Sequence, residues 1–208
     1  MAHTPLLVVE KIRKRYTRGL LAKQVTFDLE ADFTIDQPAI VGMMGPNGSG
    51  KTTLFELITG SNRPSSGRVL CAGQDIHRVK YRQRDRLAIH YHQSYQVRRF
   101  KRTLPSALLQ STPSRYPLIH LFDEPQFNTQ DGYIGFMLDF FRKLRREERL
   151  VFVCLHPKEH LHLEIMEEIC EQFMFLYHGR LSRIPDFEHL LANDQVRNYL
   201  GHLVASVG

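Results

Sequence analysis

The chain has 208 residues, 42% of them hydrophobic and 24% charged, enough to bury a full core and too apolar for wholesale disorder. The formal net charge of +6 is a mild basic bias, compatible with nucleotide, nucleic acid or an anionic membrane face, and selects none of them. Three cysteines, Cys71, Cys154 and Cys170, lack metal-ligand spacing and fall in expected core elements, which points to a reducing cytosol. No apolar run approaches the roughly 18–20 residues of a membrane span, and residues 1–11 carry no signal-peptide pattern, so a membrane role would come through a partner.

In chain order, residues 6–10 read as a first strand, and 11–18 as a basic segment holding Tyr16. Residues 25–29 alternate apolar and polar, the mark of a strand with one exposed face, and 30–38 read as a loop. The apolar run 39–44 reads as a buried strand. Residues 54–58 begin a helix, 60–67 form a turn cluster, and short strands follow at 68–71 and 87–92. His90 and His92 share one strand face and are expected to pack or to meet solvent. Residues 94–117 are the least regular part, with a basic run from Arg98 to Arg102 and a short helical candidate at 106–110. A buried strand at 118–122 delivers Asp123, Glu124 and Pro125. From Gly132, Ile134, Met137, Leu138, Phe141 and Leu144 recur at helical spacing, opposite Arg142, Lys143, Arg145 and Arg146. A strand at 150–155, a helix at 159–171, a hairpin at 173–183 and one or two small helices from 187 to about 203 complete the chain. Strands alternating with helices, several of them apolar throughout, argue for an α/β fold with a largely parallel core sheet.

The chemistry centres on Gly45-Pro46-Asn47-Gly48-Ser49-Gly50-Lys51-Thr52-Thr53, which fits G-x-x-x-x-G-K-[ST] between a buried strand and a helix. Glycines let successive backbone N–H groups turn onto phosphate oxygens at a helix N-terminus. Lys51 would reach the outer phosphates, and the Thr52 hydroxyl would ligate Mg²⁺. A second apolar strand ending in an acid places a carboxylate beside that metal, a role for Asp123, while Glu124 is positioned as base for an attacking water. His156, His160 and His162 lack accompanying acidic or cysteine ligands at a known zinc spacing.

The order Tyr16, phosphate loop, Gln93, Asp123-Glu124-Pro125, His156 resembles the ATP-binding cassette (ABC) ATPases nearly end to end. The resemblance implies an α/β P-loop NTPase, an ABC-type nucleotide-binding domain with a mixed core sheet, a small N-terminal antiparallel β-subdomain and a reduced helical subdomain. It implies one domain over 1–208, with 94–117 as the shortened helical region and 184–208 as a helical tail. It makes Tyr16 the aromatic that stacks on adenine, Gln93 a contact to Mg²⁺ and water that senses a membrane partner, and His156 the switch histidine at the γ-phosphate. The tail at 191–201 is similar to the ends of cassettes serving lipopolysaccharide export and branched-chain amino-acid uptake. The implied ligands are ATP and Mg²⁺. The implied partners are a membrane-embedded transporter subunit, a partner cassette or a second copy of the chain, and the implied location is the cytoplasm or the inner membrane face. Nucleic acid is not the expected partner, because the long coiled-coil insertions of DNA-repair cassettes are missing.

The resemblance breaks in one place. Only 29 residues (94–122) separate Gln93 from Asp123, and the family's Leu-Ser-Gly-Gly-Gln signature occurs nowhere in the chain. At roughly 10–14 residues per helix, that gap holds one or two helices. The loop after Pro125, Gln126-Phe127-Asn128-Thr129-Gln130-Asp131, also departs from the family's pattern, and Pro157 follows His156 where the family often has Asp. The signature supplies donors to the γ-phosphate across a dimer, so its loss predicts Mg-ATP binding with slow hydrolysis by the chain alone.

Overall fold

The computed structural model describes residues 4–19, 24–92, 117–125, 127 and 133–203. Ten strands form one sheet in the order β5-β4-β1-β2-β10-β9-β3-β8-β7-β6. Strands β9 (Gln172–Tyr177), β3 (Ile40–Met44), β8 (Leu150–Cys154), β7 (Ile119–Asp123) and β6 (Ala88–His92) run parallel. Strands β1 (Leu7–Arg18), β2 (Gln24–Ile35), β4 (Ser66–Cys71) and β5 (Gln74–Asp75) form an antiparallel layer. The two parts meet where β10 (Arg180–Ile184) pairs antiparallel with β9 and touches β2 through Arg180 and Glu30.

The parallel strands are apolar throughout because both of their faces are covered. In β8, Leu150, Phe152 and Cys154 enter a core with α1 (Lys51–Thr59) and the antiparallel layer. Val151, Val153 and Leu155 enter a second core with α3 (Tyr133–Arg146), α4 (His160–Ile169) and the tail helices α5 (Phe187–Ala192) and α6 (Asp194–Leu200). The expected helical stripe of α3 is in place: Met137, Leu138, Phe141 and Leu144 are buried.

Three readings need correction. The expected loop 30–38 is strand as far as Ile35, with Ala31, Phe33 and Ile35 buried and Glu30 and Asp32 on the opposite side. Residues 11–18 continue β1 past an irregularity at Lys11, whose φ is +43°. A helix, α2 (Tyr81–Leu87), occupies a stretch for which no element was expected; it buries only Leu87 and carries arginines around its circumference, so it has no apolar period to read. The basic run Arg98–Arg102 and the helical candidate at 106–110 lie outside the described residues.

Candidate nucleotide site

Strands β3, β8 and β7 are consecutive neighbours in the sheet, so their carboxyl ends open on one edge, where ligands bind in open α/β sheets. β3 ends in the glycine loop, β7 ends at Asp123, and His156 lies two residues beyond β8. That geometry gathers residues separated by more than a hundred positions.

At Gly45 the backbone passes so close to the end of β9 that a Cβ would lie 2.1 Å from the Leu176 carbonyl oxygen. Only glycine fits there, and the loop is pinned against the sheet. The loop ends at α1, a nine-residue helix whose N-cap, Gly50, offers no side-chain acceptor and whose first turn holds no acidic residue. Its first N–H groups therefore form a positive end suited to an anion. Lys51 is 6% exposed, and its ammonium donates to the loop's own carbonyls, at 2.6 Å from Gly45 O and 3.0 Å from Pro46 O. Ser49 Oγ is buried with no hydrogen-bond partner among the described residues, an orphan that a phosphate oxygen would satisfy. The Thr52 hydroxyl donates to Asp123 Oδ2 at 2.8 Å, and Asp123 is itself buried. Hydroxyl and carboxylate oxygens at that separation are the hard donors a divalent cation such as Mg²⁺ takes, so this pair fits the metal the phosphates would bring.

Tyr16, Asn47, Gly48, Gly50, Lys51, Thr52, Thr53, Asp123 and Glu124 line one cavity of about 290 Å³. Its outer wall is aromatic. Tyr16 stands 6.0 Å from Phe27 between ring centroids, its hydroxyl accepts from Asn62 Nδ2 at 2.8 Å, and Lys14 Nζ lies 5.1 Å from its ring. Gly45, Pro46 and Ser49 are not in that lining, and Ser49 Oγ lies buried within the loop. Glu124 has a φ of +51°, uncommon for a non-glycine residue and typical of strained functional sites, and its N–H donates to Cys154 O at 2.9 Å. His156 Nδ1 lies 2.6 Å from Tyr199 Oη. Partial burial and then the Lys51 charge push its pKa below the usual imidazole value, so the ring is neutral near pH 7. Gln93 lies outside the described residues.

The family model described as ABC transporter matches residues 29–131, from β2 through the loop to just past Glu124. The chain contains an ABC ATPase domain. The doxorubicin resistance ATP-binding protein DrrA of Mycobacterium tuberculosis is 36% identical over 70 residues, 34% of this chain and 20% of that protein. The energy-dependent translational throttle protein EttA of Escherichia coli is 42% identical over 64 residues, 31% of this chain and 10% of that one. The cassette therefore spans a fifth or less of these two relatives' length. A nucleotide-free ATP-binding cassette from an ABC transporter superposes with a TM-score of 0.68 at 14% identity, covering 94% of this chain and 98% of that one, which establishes the shared fold.

Three contacts of the cassette go beyond the sequence motifs. Phe27 completes the aromatic wall; its signal was the alternation of β2 beside Tyr16. His90 places Nε2 3.2 Å from Asp123 Oδ2 and sits edge-on to Phe55 at 5.5 Å, so it faces the site rather than solvent. Tyr199 reaches His156 across 43 positions, and nothing local announces it. Among the described residues, no helix is long and apolar enough to cross a membrane.

Proposed function

We propose that this chain binds Mg-ATP in the loop cavity and uses binding and hydrolysis to drive a partner's conformational change in a transport complex, a reading supported by the match of residues 29–131 to the ABC transporter family model. The observation that carries it is the convergence of a buried Lys51, the orphaned Ser49 hydroxyl and the Thr52–Asp123 pair at one helix N-terminus. The loop N–H groups and Lys51 bind the phosphates, with Lys51 exchanging its loop carbonyls for phosphate oxygens. Tyr16 and Phe27 offer a face to adenine. Thr52, Asp123 and Gln93 would hold Mg²⁺, which supplies neutralisation of phosphate charge when bound. Glu124 orients and deprotonates the attacking water, and His156 contacts the terminal phosphate.

The assignment extends to one ABC-type domain over 1–208, with 94–117 as a shortened helical region and 184–208 as a tail. The partner is a membrane-embedded subunit, a cassette that keeps its signature, or a second copy, and the chain works in the cytoplasm or at the inner membrane face through it. Nucleic acid is disfavoured as partner, because several basic side chains are paired within the fold: Arg13 and Arg15 with Asp28, Arg142 with Glu168, and Arg145 Nε with Glu171 at 2.6 Å.

A second reading is a non-transport, ATP-gated regulatory or assembly protein with weak intrinsic turnover. The 29-residue interval between Gln93 and Asp123, without the signature, favours it, and the likeness to EttA shows that such cassettes need not be named for transport. Both readings are tested by steady-state ATP hydrolysis of the purified chain beside Glu124→Gln, with nucleotide binding measured on each. Binding by both with negligible turnover by both supports dependence on a partner. Turnover by wild type well above Glu124→Gln means the chain's own residues suffice, and the expected slowness is wrong. No binding by either removes the ATP reading.

A further inference from the structure

The second core carries the tail helices to the nucleotide edge of the sheet. Leu190, Val196, Leu200 and Leu203 are buried in it. Helix α6 is capped by Asn193, whose Oδ1 accepts from Gln195 N at 3.0 Å and Val196 N at 3.2 Å. Thus seated, α6 lays the Tyr199 ring 5.7 Å from Phe175 and 5.7 Å from His156, and brings the hydroxyl to 2.6 Å from Nδ1.

We infer that Tyr199 is a positioning residue for His156, donating its hydroxyl proton to Nδ1 and so holding the imidazole proton on Nε2. The direction of the bond follows from satisfaction. Nδ1 is the one hydrogen-bond partner of this half-buried hydroxyl among the described residues. If Nδ1 donated instead, the phenolic proton would have no protein acceptor among the described residues and would depend on solvent. Burial, with Cys154 and Glu124 nearby, raises the Tyr199 pKa, so the phenol keeps that proton. A neutral imidazole that accepts at one nitrogen donates at the other. Nε2–H is then a fixed donor, the form that favours an anionic oxygen, whereas the other tautomer would turn a lone pair toward it. On the ATP reading proposed above, the ligand is the terminal phosphate of a nucleoside triphosphate. The C-terminal tail thereby becomes part of the machinery that distinguishes triphosphate from diphosphate.

Two measurements on the full chain test this. Imidazole nitrogen and carbon NMR shifts in ligand-free protein report the tautomer directly. Wild type should show His156 as Nε2–H, and Tyr199→Phe, which keeps the ring on Phe175, should yield a tautomer mixture. An Nδ1–H wild type, or a ratio unchanged by Tyr199→Phe, overturns the inference. Calorimetric titration with AMP-PNP and with ADP reads the consequence. Tyr199→Phe should reduce the preference for AMP-PNP about 5–10-fold, the worth of one oriented charge-assisted bond, and leave ADP affinity within about twofold. In a His156→Ala background the same change should do nothing, because its route is gone. An undiminished effect in that background marks Tyr199 as merely structural and sinks the proposal. If wild type binds neither nucleotide, the ATP reading fails, while the tautomer spectrum still decides what the hydroxyl does.

Discussion

The parallel core and the antiparallel layer of this sheet handle polar groups in opposite ways. In the parallel core, polar side chains are few and deeply buried: Lys51, Ser49, Asp123 and His120 are each no more than 6% exposed. In the antiparallel layer the charged groups are many and wet. Arg13 pairs with Asp28 and with Glu30, Arg15 with Asp28, and Arg68 with Glu10, all with substantial solvent contact. Desolvated groups interact strongly and tolerate little loss, whereas exposed pairs are screened and contribute little. Chemistry should therefore be fragile on one side of the β2–β10 seam and robust on the other.

The seam itself carries the largest expected effect. Gly179 has a φ of +71°, and a Cβ there would sit 1.9 Å from the Asp28 carbonyl oxygen. Its own carbonyl accepts from Glu30 N at 2.8 Å, part of the join between hairpin and layer. Gly179→Ala combines left-handed strain with a backbone clash and should cost about 3–5 kcal/mol, read as a large fall in the denaturation midpoint. A midpoint within about 1 kcal/mol of wild type would mean that the two parts are not rigidly joined at this point.

Next in size is Lys51→Ala. It removes the buried ammonium and leaves the carbonyls of Gly45 and Pro46 without their donor. ATP affinity should fall at least about 100-fold by titration calorimetry, the loss of a desolvated charge-assisted contact. Full retention of affinity would show that the α1 N-terminus and the loop N–H groups are sufficient.

His120 separates the two regions by pH. It is stacked on Tyr91 at 5.8 Å, hydrogen-bonded between Tyr91 Oη at 3.1 Å and Pro117 O at 3.1 Å, and its pKa is pushed down to about 3, mainly by burial. The unfolded chain titrates near 6.5. Between those values the unfolded state binds the proton and the folded state does not, so stability is fully present above about pH 6.5 and drains as pH falls toward 3. The slope approaches about 1.4 kcal/mol per pH unit for one proton. His120→Phe should flatten the fall in stability from pH 6 to 4, whatever it does to stability at pH 7. An unchanged slope would assign that acid sensitivity to other groups, His156 and His162 among them, whose pKa values also lie low through burial.

How much of this was legible from residues alone follows the same divide. The loop, Asp123, Glu124 and the all-apolar strands were readable because their signals are local: fixed spacing, continuous burial and a strand ending in an acid. Leu29, Ala31, Phe33 and Ile35 keep the period of two that the buried face of β2 requires, but Glu30, Asp32 and Asp36 give the stretch after residue 29 the composition of a loop. Helix α2 has no signal to read, because its arginines leave no apolar stripe. His90 against Asp123 was not readable, since it depends on β6 and β7 lying side by side in register, His90 opposite Leu121. Tyr199 against His156 was further out of reach, because two helices and a hairpin intervene.

The smallest expected effect is in the antiparallel layer. The neighbouring Arg13 guanidinium hydrogen-bonds the Asp28 carboxylate and holds its pKa down at about 2, with Arg15 adding to it. A depressed carboxylate contributes stability that is present above its unfolded value near 3.8 and is lost as pH falls through about 2. The antiparallel layer should thus register acid only below about pH 4, after the His120 contribution has largely gone. Asp28→Asn should shift the melting temperature at pH 7 by no more than about 2 °C, because solvent and salt screen the pair and Asn still accepts a hydrogen bond from Arg13. ATP affinity should be unchanged, since Asp28 is not among the residues lining the cavity. A shift several times larger would mean that Asp28 works as a network with Arg13, Arg15 and Arg180 rather than as a set of screened pairs, and that the layer's charges hold the seam as firmly as Gly179 does.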